Sequence, residues 1–185
     1  MENELVALPA TRGASSLQAQ VVQAVFRFAV RPVLRRIPIA GWPISLASAT
    51  EAAMGALPTP AGVTVEQVGL PGFDAEIVWP SAGGSDLARG VVLYFHGGAF
   101  LIGGLNSHRR VVAGLARRTG LPVVHVAYRQ LPRTSIRGSL EDCVTAYRWL
   151  LRSGADPETV VVAGDSAGGF LAFASILATR EAGLA

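Results

Sequence analysis

The chain has 185 residues, 50% of them hydrophobic and 16% charged, a composition typical of one folded domain and unlike that of a disordered tail. All sixteen basic residues are arginines, which excludes chemistry that depends on a lysine, such as a P-loop or a Schiff base. Five arginines and two glutamates in residues 1–36 account for the net charge of +3, leaving eleven basic and eleven acidic residues elsewhere. We find no basic face with stacking aromatic residues and expect no nucleic-acid partner.

The single cysteine, Cys143, has no partner for an internal disulfide or a zinc site. We therefore expect a reducing compartment, the cytoplasm, with no metal and no other cofactor. The chain has no run of 18 apolar residues, and Glu2 and Glu4 stand where a secretory signal would carry positive charge. Neither export nor a membrane span is expected.

Residues 1–60 are predicted to form cap-like helices in front of a second region, residues 61–185. Apolar residues recur at helical spacing over Leu17–Leu34, in a helix bent by Pro32, and a shorter helix is expected over Ser45–Leu57. Arginine recurs at every fourth position of the first helix, at Arg27, Arg31 and Arg35. A solvated face explains this stripe most simply, and a weak contact with a lipid surface is the alternative.

The second region opens with strands and continues with alternating strands and helices. The predicted strands are Thr64–Val68, Ala75–Trp79, Val91–Phe95, Pro122–Ala127 and Thr159–Ala163. The predicted helices are Ser107–Arg118, Gly138–Arg152 and Ala167–Thr179. A hairpin followed by this alternation predicts an α/β fold whose sheet is mostly parallel.

A serine motif follows the last predicted strand. Gly164-Asp165-Ser166-Ala167-Gly168 fits G-x-S-x-G and opens an apolar helix, the structural context in which that motif places a nucleophilic serine on a sharp turn. Only glycines two residues on either side of Ser166 would let such a turn close. The amide of Ala167 would lie at the helix N-terminus, where developing negative charge is favoured.

A glycine-rich stretch, His96-Gly97-Gly98-Ala99-Phe100, follows the strand Val91–Phe95 and is named here the HGG loop. Its small residues would leave the amides of Gly97 and Gly98 open to a carbonyl oxygen. Because both motifs follow parallel strands, they are expected at the same edge of the sheet. Together they predict a serine nucleophile with an oxyanion hole formed by Gly97, Gly98 and Ala167.

At these residues the sequence resembles the hormone-sensitive-lipase-like family of α/β-hydrolases, bacterial carboxylesterases and lipases with an HGG loop and a GDSAGG serine motif. The motif is completed here by Gly169, and Tyr128-Arg129 matches the family's YR after the fourth strand. The resemblance covers about residues 60–182 and implies an α/β-hydrolase fold and hydrolysis of short to medium acyl esters. His96, Ala99, Gly164, Asp165, Gly168 and Gly169 are supporting motif residues in this comparison.

The catalytic triad of this fold runs serine, acid, histidine along the chain, whereas only nineteen residues follow Ser166 and none of them is histidine. We therefore expect the N-terminal part of a longer esterase, or the product of a truncated gene, holding the first five strands of the fold. The acid and the histidine would be missing, and the isolated chain would be close to inactive.

The three histidines present are not assigned as the base. His96 belongs to the HGG loop, His108 is expected to begin a helix, and His125 is expected to be a core histidine with its hydrogen bonds satisfied. The glycines around Ser166 could suggest a dinucleotide fingerprint, but that motif belongs after the first strand of its unit.

Two functions remain open. The first is a serine ester hydrolase whose partner is a small-molecule ester. The second is a catalytically inactive relative that binds a small ligand. In either case the apolar strand Thr159–Ala163 would be an open edge, so self-association of the isolated chain is expected.

Overall fold

The computed structural model describes residues 16–34, 42–83 and 86–184. Contacts within the chain group it into two units, Met1–Pro38 and Ile39–Ala185. The second predicted helix therefore falls in the same unit as the strands. The assignment of residues 1–60 to a cap stays a prediction.

In the first unit the long predicted helix is interrupted. It consists of α1 (Leu17–Val25), a π-helical turn (Phe26–Val30) and α2 (Arg31–Leu34). Pro32 lacks an N–H and its ring crowds the carbonyl four residues earlier, so regular helical bonding cannot pass through it, and the wider turn lies directly before it. The guanidinium of Arg27 lies 5.6 Å from the ring centroid of Phe28. Arg35 lies outside the described residues.

In the second unit every predicted strand and helix is present, with ends that differ by at most three residues. The strands are β1 (Val63–Leu70), β2 (Phe73–Pro80), β3 (Val91–Phe95), β4 (Val123–Val126) and β5 (Val160–Gly164). The helices are α3 (Trp42–Gly55), α4 (Leu105–Thr119), α5 (Ile136–Arg152) and α6 (Ala167–Glu181). None of the helices in the described ranges is long and apolar enough to cross a membrane.

The five strands form one mixed sheet in the order β1-β2-β4-β3-β5. The predicted hairpin β1–β2 is antiparallel, as is β2–β4, whereas β3 is parallel to both β4 and β5. Among the described strands β5 bonds only to β3, so its other side is an edge. Val161, in the middle of β5, is 52% exposed.

Helices cover both faces of the sheet. Helix α4 packs on one face, where its apolar side chains meet those of β3 and β4, and α5 and α6 pack on the other. Because β3 and β5 run parallel and Phe95 pairs with Gly164, both strands end at the same level. The HGG loop and the serine turn therefore leave the sheet side by side.

The side chain of Glu51 links helix α3 to the start of α4. The carboxylate of Glu51 accepts hydrogen bonds from the backbone amides of Asn106, at 2.6 Å, and Ser107, at 3.0 Å. These amides lie in the first turn of α4 and have no partner within the helix, so a carboxylate there satisfies them and complements the helix dipole. This contact fixes the start of α4, the helix that carries His108.

Candidate active site

Ser166 lies on a tight turn between β5 and α6. Its backbone has φ 51° and ψ −117°, a conformation that residues other than glycine rarely adopt. The residue is exposed. The strain is maintained by the packing on both sides of the turn. The Oγ of Ser166 makes no hydrogen bond with a residue in the described ranges. The arrangement is that of a strained, solvent-facing serine at a helix N-terminus.

The glycines around the turn differ in how tightly they are enclosed. A Cβ added at Gly164 would lie 2.7 Å from the carbonyl oxygen of Phe95, and one added at Gly168 would lie 2.6 Å from that of His96. Both distances are too short for any side chain. A Cβ at Gly169 would meet nothing closer than 3.4 Å, which is an ordinary contact. The first two glycines are therefore required by space, and the third is not.

The HGG loop is held in an unusual conformation. Three successive residues have positive φ, with 126° at Gly98, 55° at Ala99 and 62° at Phe100. The carbonyl of Gly98 accepts the amides of Leu101 and Ile102, both at 3.0 Å. A Cβ on Gly98 would collide with the carbonyl oxygen of Ile102. Within this curl the amides of Gly98 and Ala99 take no part in a helix or a strand.

One of the predicted oxyanion donors already has a hydrogen-bond partner in the structure. The amide of Gly97 donates to Oδ1 of Asp165 at 2.8 Å, so it is already occupied. The amides of Gly98, Ala99 and Ala167 have no acceptor within the described residues. Spacing alone could not distinguish these amides, because the side chain that engages Gly97 lies 68 residues away along the chain. The open donors are those of Gly98, Ala99 and Ala167.

Asp165 joins the serine turn to the end of β3. Its Oδ1 accepts the hydroxyl of Tyr94 at 2.8 Å as well as the Gly97 amide, and Nε2 of His108 lies 3.9 Å away. Burial raises the pKa of Asp165, but these hydrogen bonds and the nearby His108 lower it more, so the net pKa lies below the usual range. Burial and the carboxylate raise the pKa of Tyr94. Asp165 is thus an ionised hydrogen-bond acceptor.

His96 supports the HGG loop from below. Its side chain is buried, and Nδ1 lies 2.7 Å from the carbonyl oxygen of Gly97, so this nitrogen carries the proton. The ring stacks on Tyr128 with 4.5 Å between centroids, and the Tyr128 hydroxyl donates to the carbonyl of His96 at 2.7 Å. Burial lowers the pKa of His96 to about 4. His96 is therefore a neutral residue that shapes the loop.

The other two histidines lie where the sequence predicts them, His108 in α4 and His125 in β4. His125 is fully buried, but the expectation that its hydrogen bonds are satisfied is wrong for one nitrogen. Its Nδ1 lies 3.4 Å from Oε1 of Glu76, whereas Nε2 has no partner among the described residues. Nothing in the sequence pattern predicted Glu76, which is also fully buried.

The part of the chain that the structure describes contains no group of three or more histidine, cysteine, aspartate or glutamate side chains able to hold a metal ion. Cys143 is buried on α5, and burial raises the pKa of its thiol. It has no role at the serine turn.

An aromatic contact links the HGG loop to helix α6 beside Ser166. Phe170, one turn into α6, keeps 57% of its area exposed and meets Phe100 edge-to-face with 6.0 Å between centroids. Ile102 is also exposed, at 47%. The strained serine therefore lies next to apolar surface as well as next to open amides.

α/β-Hydrolases place an exposed serine on a turn between a strand and a helix, beside a second loop of open amides. Residues 92–185 match the α/β-hydrolase fold family. The chain belongs to that family. The resemblance to its hormone-sensitive-lipase-like members is confirmed by a solved esterase of the bacterial hormone-sensitive lipase family. The present chain is 32% identical to that esterase. The two structures superpose with a TM-score of 0.69 over 92% of the present chain and 55% of the esterase.

Two proteins of Mycobacterium tuberculosis are also similar to this α/β-hydrolase. Esterase LipU is 45% identical over 160 residues, which are 84% of the present chain and 52% of LipU. Carboxylesterase/phospholipase LipF is 46% identical over 114 residues, 61% of the chain and 31% of LipF. The chain thus spans about half or less of the length of these relatives.

Proposed function

We propose that this chain supplies the nucleophile and the oxyanion hole of a serine carboxylic ester hydrolase. The observation that carries the proposal is Ser166, exposed at φ 51° between β5 and α6. A serine held in that conformation projects from the sheet, and the cost of the strain is explained if the hydroxyl has to reach a substrate. The esterase and lipase names of the relatives support the same reaction class.

In the proposed reaction Ser166 Oγ attacks the acyl carbon of an ester while a base removes the hydroxyl proton. The electron pair of the carbonyl moves to its oxygen, and this oxyanion accepts hydrogen bonds from the amides of Gly98, Ala99 and Ala167. Collapse of the intermediate expels the alcohol, which takes the proton from the base, and leaves an acyl-serine. Water then attacks the acyl carbon and gives a proton to the base, the bond between that carbon and Ser166 Oγ breaks, and Oγ takes the proton back as the acid is released.

The amides of this proposed hole do not have to move. Gly98 and Ala99 are fixed by the curl of the HGG loop, and Ala167 is fixed by the start of α6. Donors held in place before the charge develops stabilise it without reorganisation, and removal of one such donor costs about 10²–10³ in kcat in other serine hydrolases.

The base and the acid are proposed to come from outside the described residues. His96 is buried and neutral beneath the loop, His125 is buried in the sheet, and His108 faces Asp165. No histidine follows Ser166 in the sequence. A triad serine without its histidine keeps only oxyanion and binding effects, so the 185-residue polypeptide by itself is expected to turn over esters very slowly.

The proposed substrates are esters of short to medium acyl chains, as the family resemblance implies. Phe170, which is exposed one turn after Ser166 and packs against Phe100, supports an apolar acyl or alcohol group. Binding such a group would bury this surface, at about 25 cal/mol per Å² of apolar area.

Labelling by a fluorophosphonate tests the proposal without requiring turnover. The reagent would be applied to the 185-residue chain and to a chimera that extends it with the C-terminal half of LipU, and the labelled peptide identified by mass spectrometry. We expect labelling of Ser166 in the chimera, its loss in Ser166→Ala, and little labelling of the shorter chain. Ser175→Ala, a buried serine of the same helix, is the matched control and should label normally.

A folded chimera that is not labelled would favour the alternative function, an inactive relative that binds a small ligand. Equal labelling of the chimera and its Ser166→Ala variant would show that the nucleophile is another residue.

A further inference from the structure

A row of polar side chains crosses the sheet beneath the proposed active site. Strand pairing places four of them opposite one another, one on each of four neighbouring strands, and they are Gln67, Glu76, His125 and Tyr94. They lie on the face of the sheet on which α4 packs, where Glu76, His125 and Tyr94 are buried and Gln67 is exposed. The row ends at the Tyr94 hydroxyl, which donates to Asp165 beside the nucleophile.

Burying polar and charged side chains costs free energy of folding, so the buried part of this row needs an explanation. Glu76 and His125 are both fully buried. Arg109 of α4 binds the Glu76 carboxylate through Nε at 3.1 Å and Nη2 at 2.6 Å, which compensates for the buried charge. No such compensation exists for Nε2 of His125, which has no partner among the described residues. Hydrogen bonding alone therefore does not account for a histidine at this position.

The ring of His125 meets three other rings at once. It is edge-on to Tyr94 at 5.7 Å, to His96 at 5.8 Å and to His108 at 6.3 Å between centroids. Edge-to-face contacts at such distances are favourable and directional. Nδ1 of the same ring lies 3.4 Å from Oε1 of Glu76.

Each of the three contacted rings holds one part of the proposed site. Tyr94 donates to Asp165, and Nδ1 of His96 lies against the carbonyl of Gly97. Nε2 of His108 lies 3.9 Å from the Asp165 carboxylate. His125 touches neither the HGG loop nor the serine turn through a hydrogen bond of its own, yet Tyr94 and His96 do, and His108 lies close to the Asp165 carboxylate.

We propose that His125 is a positioning residue for the HGG loop and the serine turn, and that it acts through the packing of its ring against Tyr94, His96 and His108. The consequence is that the Gly97–Asp165 hydrogen bond, which joins the two loops, depends on an aromatic ring at position 125. The inference rests on the proposed function only where the HGG loop is taken to carry oxyanion donors.

Two substitutions separate ring packing from hydrogen bonding. His125→Phe keeps a ring of similar size and removes the polar atoms, one of which has no partner. His125→Gln keeps a donor for Glu76 and removes the ring. Val123→Ala is the matched control, because Val123 is a fully buried residue on the same strand and the same face, outside the ring cluster.

Hydrogen–deuterium exchange of the full chain, resolved to the Gly97 amide by fragmentation, gives the readout. In the original sequence this amide should be protected by Asp165. We expect His125→Phe to exchange within about threefold of it, because the ring contacts remain. We expect His125→Gln to exchange at least tenfold faster at Gly97 while the amides of β3 stay protected, and Val123→Ala to leave Gly97 unchanged.

Protection of Gly97 in His125→Gln equal to that in the original sequence would overturn the proposal. Exchange of the Gly97 amide that is tenfold faster in His125→Phe would also overturn it. This result can be obtained even if His125→Gln does not fold. An increase in Val123→Ala as large as that in His125→Gln would show a general loss of stability instead of positioning. The readout involves no chemistry at Ser166, so failure of the esterase assignment would not affect it.

Discussion

The carboxylate of Asp165 accepts the backbone amide of Gly97 at 2.8 Å, although the two residues are 68 positions apart. This bond joins the residue that precedes the proposed nucleophile to the loop that carries the proposed oxyanion donors. It orders the loop, and it removes Gly97 from the donors that a substrate could use.

Asp165→Ala should therefore loosen the HGG loop, whereas Asp165→Asn, which keeps an acceptor oxygen, should do so less. The carboxylate is half exposed, so we expect a loss of about 1–2 kcal/mol in the free energy of unfolding for alanine, and a smaller loss for asparagine. Urea unfolding measures the difference. Equal losses for the two variants would mean that the side-chain oxygen is not what holds the loop.

The two glycines after Ala167 should respond oppositely to alanine. Gly168→Ala places a Cβ against the backbone at the end of β3, so we expect a loss of several kcal/mol, in the range typical of overpacked sites. Gly169→Ala has room and lies in a helix, where alanine is favoured by about 1 kcal/mol. Thermal or urea unfolding of both variants checks this. A stable Gly168→Ala variant would contradict the described turn.

The strand bounds and the serine turn were predictable from the sequence because they depend on local patterns. Val91–Phe95 is an uninterrupted apolar run, and glycines flank Ser166 at fixed spacing. The meeting of His96, His108 and His125 was not predictable, since it depends on β4 lying between β2 and β3 in the sheet. The capture of Gly97 by Asp165 was missed for the same reason, because long-range pairing determines which amide a carboxylate reaches.

Stability should fall on mild acidification because of the buried histidines. Burial lowers the pKa of His96 from 6.5 to about 4, and it lowers the pKa of His125 as well. Above pH 6.5 His96 is neutral in both the folded and the unfolded chain, so its titration does not change the free energy of unfolding. Between pH 6.5 and about 4 the unfolded chain binds a proton that the folded chain does not, so stability is lost, by about 3 kcal/mol for His96.

Urea unfolding between pH 7 and pH 4 measures this slope. His96→Asn, which cannot titrate, should flatten it, even though the variant starts from a lower stability at pH 7. A slope that is the same in both proteins would mean that His96 is accessible to protons in the folded state.

The free edge of β5 should cause the isolated chain to self-associate. Val161 is 52% exposed on this edge, and the strand carries no charge or proline that would discourage pairing with another strand. Val161→Lys should lower the apparent mass measured by light scattering. Val111→Lys, which adds the same charge at an equally exposed position of α4, is the control and should change it little. A stable monomer of the original sequence would contradict the prediction.

The nucleophile assignment is tested most directly by the hydrolysis of p-nitrophenyl butyrate by the chimera with the C-terminal half of LipU. We expect turnover by the chimera and almost none by the 185-residue chain. We also expect Ser166→Ala to lower turnover by the chimera by on the order of 10⁶, as when a catalytic serine is removed from subtilisin. Turnover by the Ser166→Ala chimera equal to that of the unsubstituted one would contradict the assignment of Ser166 as the nucleophile.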